Sequence, residues 1–201
     1  EKENGLKFRR KLRLRRYETG DVLTETTPIF LEIKQRVDRV TQKRRAVLPY
    51  GDALRLCNDR QMPDFAPEDK DVIEEIFVYL WQYNLRPVSI VRYERQAFVG
   101  TRYDPGLRVT FDTALTFQVH PLHIHEPPAG LPMLSANQTI MEIKVNERMP
   151  SWLTTLIAAH NLQIIRISKY CRSINAAQNM PVVPWQRPVA ERARNLLAST
   201  F

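Results

Sequence analysis

Two short and nearly identical phrases supply the first candidates for chemistry. FLEIK at residues 30–34 recurs as IMEIK at residues 140–144. Each copy lies in a β-branched, aliphatic run that predicts a strand, and residues two apart in a strand share a face. The Glu and the Lys of each copy therefore point the same way. Such a face is either water-exposed surface or the lining of a site for a charged ligand.

A basic strand precedes the first copy. Residues 6–17 alternate apolar and basic side chains, as in a half-buried strand. On composition alone, a solvated or RNA-binding surface and a ligand site are about equally consistent with this pattern. Only Tyr17 shares the basic face, and this scarcity of aromatic rings disfavours binding of single-stranded nucleic acid by base stacking. The predicted basic face carries Lys7, Arg9, Lys11, Arg13 and Arg15.

The overall composition indicates a globular protein with an anionic partner. The chain has 201 residues, 43% of them hydrophobic, and a net charge of +8, which favours a polyanion. Its two cysteines, Cys57 and Cys171, are too few for a disulfide framework or a zinc cluster, so we expect a reducing, cytoplasmic location. No apolar stretch reaches the roughly 20 residues of a membrane span, so no membrane segment is expected.

The order of predicted elements indicates an α+β protein. Strands connected as a meander, with interspersed helices, are typical of an antiparallel sheet or barrel that is covered by helices. We predict one domain at residues 1–180, then a Pro-rich linker and an amphipathic helix at 181–201. The predicted strands are 6–17, 29–37, 39–47, 88–99, 106–118 and 138–145, and the predicted helices are 50–58, 68–83, 151–160, 168–178 and 189–199.

The charged strand faces predict where the ligand binds. The helices at 68–83 and 151–160 need apolar surface to cover, and the aliphatic strand faces provide it, which leaves the charged faces around a common axis. Burying several cations without partners would cost several kcal/mol each, so a closed barrel must hold water and an anion. Phosphate chains suit Arg and Lys, and the few acids would hold a divalent cation that bridges phosphate oxygens.

Seven motifs in order give this chain a family resemblance. It resembles the catalytic domain of the vacuolar transporter chaperone (VTC) family, polyphosphate polymerases of the triphosphate tunnel metalloenzyme (CYTH-like) superfamily, over residues 6–175. The resemblance implies an antiparallel β-barrel tunnel with helices packed outside. The motifs are RLR (13–15), FLEIK (30–34), KRR (43–45), YERQAF (93–98), LRVTFD (107–112), MEIK (141–144) and ISKY (167–170).

The resemblance also implies roles for individual residues. The cofactor would be Mn2+ or Mg2+, held by Glu142 with Glu32 as a supporting ligand. Ser168 and Lys169 would lie on a helix at the tunnel mouth, near the phosphates. The residues expected to grip phosphate in catalysis are Arg13, Arg15, Lys34, Lys43, Arg95, Arg108 and Lys169, and the supporting substrate contacts are Arg45, Lys144, Arg166 and Ser168.

The implied activity is metal-dependent synthesis of polyphosphate. The γ-phosphate of a nucleoside triphosphate would pass to a growing polyphosphate chain, so the expected partners are these two ligands and not nucleic acid. A triphosphate hydrolase on the same tunnel fold and a non-catalytic polyphosphate-binding module are the alternatives. Arg166 stands where the family tends to have Lys, and we expect the family's first basic strand, which precedes RLR, to be absent here. We therefore expect an open tunnel wall unless an upstream segment closes it.

Three histidines form a separate candidate. His120, His123 and His125 lie in a Pro-rich loop, and two of the three share a face in an extended chain. The loop has no obvious fourth ligand, which argues against a metal site there.

Overall fold

The protein divides into two compact units, residues 1–87 and 88–201. The structure, a computed structural model, describes residues 8–18, 20–37, 40–120, 122–124 and 130–179. The first unit contains β1 (Phe8–Arg15), β2 (Pro28–Val37), β3 (Val40–Pro49), α1 (Tyr50–Leu54) and α2 (Lys70–Gln82). The second contains β4 (Ile90–Val99), β5 (Arg108–Gln118), β6 (Leu131–Pro132), β7 (Ile140–Lys144), α3 (Ser151–Ala159) and α4 (Lys169–Gln178).

The first unit is an antiparallel sheet with α2 on one face. The strand order is β1-β2-β3, so β2 is the central strand. Its alternate residues Ile29, Leu31 and Ile33 are buried against Ile73 and Ile76 of α2, because strand and helix periodicities each gather apolar side chains on one side. The opposite face of the sheet carries most of the charged residues of these strands. A π-helical turn, Arg55–Asp59, continues α1, and a 3-10 turn, Pro67–Asp69, leads into α2.

Asparagine in a left-handed conformation ends two of the helices. Asn84 follows the end of α2 with φ 43°, and Asn161 follows the end of α3 with φ 50°. Asparagine tolerates this conformation better than most residues, so it can stand at a helix end where glycine is otherwise common.

The second unit is an antiparallel sheet centred on β5. β4 pairs with one edge of β5, and β6 and β7 pair with the other. One face of β5 presents Val109 to Leu153 of α3. The other face begins with polar residues and ends with Leu115 and Phe117, against which Ala176 and Ala177 of α4 pack.

A β-bulge explains why this face of β5 changes from polar to apolar side chains. The pairing of β4 with β5 shifts between Arg92 and Glu94, where β5 contains one extra residue, and Ala114 adopts φ 48° in this segment. An extra residue reverses the alternation of side chains beyond it. Leu115 therefore lies on the same face as Asp112, and α4 packs against the apolar end of that face.

The predicted α+β class, the antiparallel strands and the helices that precede residue 179 are confirmed, with ends shifted by a few residues. The closed barrel is not found among the described strands. They form two open ladders, and three or four strands are too few to close a barrel alone. The predicted helix at 189–199, the segment 181–201 and the start of the first strand lie outside the described residues. None of the helices that the structure describes is long and apolar enough to cross a membrane.

Candidate functional site

The charged face of the first unit is a set of cations around one acid. In the strand register Arg13 of β1 and Arg45 of β3 lie directly opposite Glu32 of β2, one on each side. Directly opposite residues share a face. The other basic side chains that this register places on the face are Lys11, Arg15, Lys34, Arg36 and Lys43.

Glu32 is buried beneath these cations. Its side chain is only 1% exposed because β2 is the central strand. Arg13 donates to Oε2 through Nε at 2.9 Å and through Nη2, and Arg45 donates to Oε1 at 2.9 and 2.5 Å. Lys43 Nζ lies 2.7 Å from Oε1. Both carboxylate oxygens are therefore occupied by cationic donors.

These bonds set the ionisation of Glu32. Burial alone would raise the pKa of the carboxyl group. The hydrogen bonds from Lys43, Arg13 and Arg45 outweigh that effect and lower the pKa of Glu32 to about 2. The acid is therefore charged at any physiological pH, and it neutralises part of the surrounding positive charge.

The next row of the same face consists of lysines. Lys11, Lys34 and Lys43 lie directly opposite one another on β1, β2 and β3. Like charges in this position repel, so the row is stabilised by counter-charge from outside the row. Lys43 reaches Glu32 diagonally, and Lys34 is exposed. An anion that lies along this row would relieve the repulsion.

The second unit repeats this arrangement around Asp112 of β5. Arg95 of β4 lies directly opposite Asp112 and donates two hydrogen bonds, from Nε to Oδ1 at 2.6 Å and from Nη2 to Oδ2 at 2.7 Å. Lys169, the first residue of α4, places Nζ 2.5 Å from Oδ2. Asp112 is 0% exposed, and burial alone would raise its pKa, but the bonds from Arg95 and Lys169 lower it. The hydrogen bonds to Asp112 in turn raise the pKa of Arg95.

An aromatic ring and a second acid complete this group. Arg95 and Lys169 both approach the ring of Tyr93, at 5.2 and 4.9 Å from its centre. Glu142 of β7 is 3.5 Å from Arg95 and 3.5 Å from Lys144. At these distances, and with its side chain 43% exposed, Glu142 is held more loosely than Asp112. The register places Arg108 directly opposite Lys144 on this face.

The start of α4 positions the residues of the ISKY motif. Ser168 caps the helix, because its Oγ accepts a hydrogen bond from the Cys171 backbone N–H at 3.4 Å. This cap fixes the turn from which Lys169 extends to Asp112. Arg166 is exposed in the segment that precedes the helix.

Only one of the two predicted metal ligands suits a metal ion. The described residues contain no group of three or more His, Cys, Asp or Glu side chains that could hold one. Mg2+ is often bound by one or two carboxylates together with substrate phosphates, and Glu142, partly exposed beside cations, fits that pattern. Glu32 does not, because its oxygens are already engaged. Of the candidate histidine cluster, His125 lies outside the described residues.

The structure groups the predicted residues by unit. Arg13, Glu32, Lys34, Lys43 and Arg45 share one face of the first unit, together with Arg15, which stacks on the ring of Tyr17 at 4.5 Å. The residues grouped in the second unit are Arg95, Arg108, Glu142, Lys144 and Lys169.

Asp112 is not among the site residues predicted from the sequence. The strand alternation contained the relevant information, because Asp112 is four residues from Arg108 and so falls on the same face of β5. The prediction for that strand names Arg108 alone. Lys11 was placed on the basic face without a role, and Arg36 was not considered; the register adds both to the face around Glu32.

Comparison with known proteins identifies a family for this chain. A family model, the VTC domain, matches residues 1–178. No curated protein and no solved structure matches the chain. The match spans most of the 201 residues and includes every basic and acidic side chain described above. The chain therefore belongs to the VTC domain family.

Proposed function

We propose that this domain is a metal-dependent polyphosphate polymerase of the triphosphate tunnel type. It would transfer the γ-phosphoryl group of a nucleoside triphosphate to the end of a polyphosphate chain. The observation that carries the proposal is the excess of cations over acids on the strand face around Glu32. Membership of the VTC domain family supports a polyphosphate-related activity.

Rows of cations suit a linear phosphate chain better than a compact anion. Successive rows on a strand face are two residues apart, which is roughly 6.6 Å along the strand. Guanidinium groups bind phosphate oxygens through paired N–H donors, and lysines act as mobile point charges. A chain of phosphates can therefore contact the Arg13–Arg45 row and the Lys11–Lys34–Lys43 row at once.

The reaction needs positioning and charge neutralisation more than a protein nucleophile. A terminal oxygen of the acceptor chain attacks the γ-phosphorus, the bond to the β,γ-bridging oxygen breaks, and the nucleoside diphosphate leaves. Charge on the transferred group is offset by fixed cations such as Arg95 and Lys169. No proton has to be removed from the acceptor, because its terminal oxygen is already anionic.

Glu142 is the residue proposed to hold Mn2+ or Mg2+. The ion would supply positive charge that neutralises the bound phosphates. Glu32 is assigned a different role here, that of holding Arg13, Arg45 and Lys43 in place.

The test compares two cations on opposite faces of the same sheet. Lys34→Ala removes a charge from the proposed phosphate face, whereas Arg44→Ala removes one from the opposite face, where Arg44 pairs with Glu75 of α2. With ATP and Mn2+, we expect wild-type protein to form long phosphate chains. Lys34→Ala should lower kcat/KM by about tenfold or more, as expected for loss of a charge-assisted contact, and Arg44→Ala should leave it within about twofold.

Other products would contradict the proposal in recognisable ways. Release of single phosphates or of intact triphosphate from ATP would identify a hydrolase. Tight binding of polyphosphate without metal-dependent turnover would identify a binding module. Equal effects of the two substitutions would show that net charge, and not this face, governs the activity.

A further inference from the structure

We infer that Asp112 is a positioning residue, which fixes Arg95 and Lys169 in the geometry that the phosphoryl group requires. The nature of the substrate group, a phosphoryl group, rests on the proposed function. The structural part, that one buried acid organises two cations from different elements, stands on the contacts alone.

Asp112 connects a strand and a helix that are far apart in the sequence. Its Oδ1 accepts from Arg95 of β4, while its Oδ2 accepts from Arg95 and also lies 2.5 Å from Lys169 of α4. The paired bonds to Arg95 use Nε and Nη2, so they fix the guanidinium plane and direct its remaining amino group, Nη1, away from the acid. The charged ends of both cations are thereby held within one hydrogen-bonded group.

The fold brings Lys169 to this position through the bulge in β5. Because the bulge near Ala114 reverses the alternation, the face that carries Asp112 continues as Leu115 and Phe117. α4 packs its alanines on that apolar continuation, and its first residue then reaches the acid. A regular strand would turn Leu115 to the opposite face and remove this seat.

The burial of Asp112 argues against a role as a metal ligand. At 0% exposure its oxygens have no open approach, and cationic donors already occupy them. A metal ion would have to displace Arg95 or Lys169. Asp112 therefore acts on the substrate through its two partners. The half-exposed Glu142 beside Arg95 is the acid that an incoming metal ion can reach.

The neutral variant Asp112→Asn separates positioning from binding. It removes the negative charge but keeps the size of the side chain. The site gains one net positive charge, which favours phosphate, while its cations lose their fixed geometry. We expect kcat to fall by about tenfold or more, whereas KM for ATP and Kd for inorganic tripolyphosphate stay within about twofold. The longer acid in Asp112→Glu should restore part of kcat.

A double-mutant cycle on tripolyphosphate binding tests the inference without any turnover. Lys169→Met removes one of the cations that Asp112 holds. In the Lys169→Met background, Asp112→Asn no longer misplaces Lys169, so mainly its gain in positive charge remains. Asp112→Asn should therefore tighten tripolyphosphate binding in that background by about threefold or more, compared with the effect of the same substitution in wild-type protein. Unfolding curves and far-UV circular dichroism confirm that each variant is folded.

The outcomes distinguish this inference from its alternatives. Additive effects in the cycle, or a kcat unchanged in folded Asp112→Asn, would overturn it. Recovery of activity at raised Mn2+ would also overturn it, by making Asp112 a metal ligand. Failure of wild-type protein to make polyphosphate would refute the proposed function, while the binding cycle would still decide whether Asp112 acts through Lys169.

Discussion

The buried Glu32 offers the sharpest test of how the basic face is assembled. Glu32→Gln removes the negative charge and preserves the shape of the side chain. The pKa of Glu32 is lowered from 4.5 to about 2 in the folded protein. At roughly 1.4 kcal/mol per pH unit, a lowering of this size corresponds to about 3 kcal/mol of folding free energy at neutral pH.

The sign of the pH dependence follows from the lowered pKa. A carboxyl group with a depressed folded-state pKa stabilises the protein fully above its unfolded value of 4.5, and this contribution is lost as the pH falls from 4.5 towards 2. Glu32→Gln should therefore be less stable than wild type by up to about 3 kcal/mol at pH 7. The partners Arg13 and Lys43 are 51% and 43% exposed, and their rehydration in the variant makes that figure an upper value.

Urea denaturation at a series of pH values measures this contribution. The difference in unfolding free energy between wild type and Glu32→Gln should be largest at pH 7 and should shrink towards zero near pH 2. The other acids of the chain, Asp112 included, are common to both proteins, so their contributions cancel in the difference. Glu75→Gln is the matched control, because its ion pair with Arg44 lies at the surface and should contribute less than about 1 kcal/mol. A difference that stays constant with pH, or that equals the control, would refute the reasoning.

Two further predictions concern the bulge and the metal. Ala114→Val should destabilise the protein by about 2 kcal/mol in urea denaturation, because a β-branched residue is strained at φ 48°. Ala114→Gly should be nearly neutral, because glycine adopts this conformation without strain. Equal effects of the two substitutions would argue against the left-handed conformation. Glu142→Ala should abolish Mn2+-dependent turnover and change the unfolding free energy by less than about 1 kcal/mol, because the side chain is loosely paired and partly exposed. Retention of turnover in Glu142→Ala would exclude this residue as the metal ligand.

Alternation along the strands made much of the first unit predictable. Leu31 and Ile33 are buried because apolar residues recur with the period of a strand, and Ile73 and Ile76 recur with the period of a helix. The side on which Glu32 lies followed from the same alternation. The burial of Glu32 could not be predicted from the alternation, because it depends on β2 being the central strand. Strand order is a property of the tertiary fold.

The second unit shows where alternation fails. The extra residue near Ala114 changes which face Leu115 occupies. Alanine, unlike glycine, rarely adopts a left-handed conformation, so the sequence gives no signal of the bulge at this position. The contact between Lys169 and Asp112 depends on that change. Sequence spacing could thus place Asp112 on the face of Arg108, but it could not bring α4 to the same point.

The two copies of the Glu-Ile-Lys phrase are alike in sequence and different in physical role. Glu32 lies on a central strand between two arginines, so burial and charge make it an organiser of cations. Glu142 lies on β7, which pairs with β5 alone among the described strands, and its side chain is 43% exposed, which leaves room for a ligand. In the second unit the organising role passes instead to Asp112, on the central strand β5.

A buried acid on each central strand answers the same physical requirement in both units. Cations placed opposite one another repel before any substrate arrives, and one enclosed carboxylate holds part of that charge in a fixed arrangement. Because each acid is outnumbered by its cations, positive charge remains for a phosphate chain. In the proposed reaction, the transition state would then meet donors that are already oriented, so little reorganisation would be needed. On this reasoning, neutralising either acid should impair catalysis more than binding, whereas removing a cation such as Lys34 should weaken binding as well.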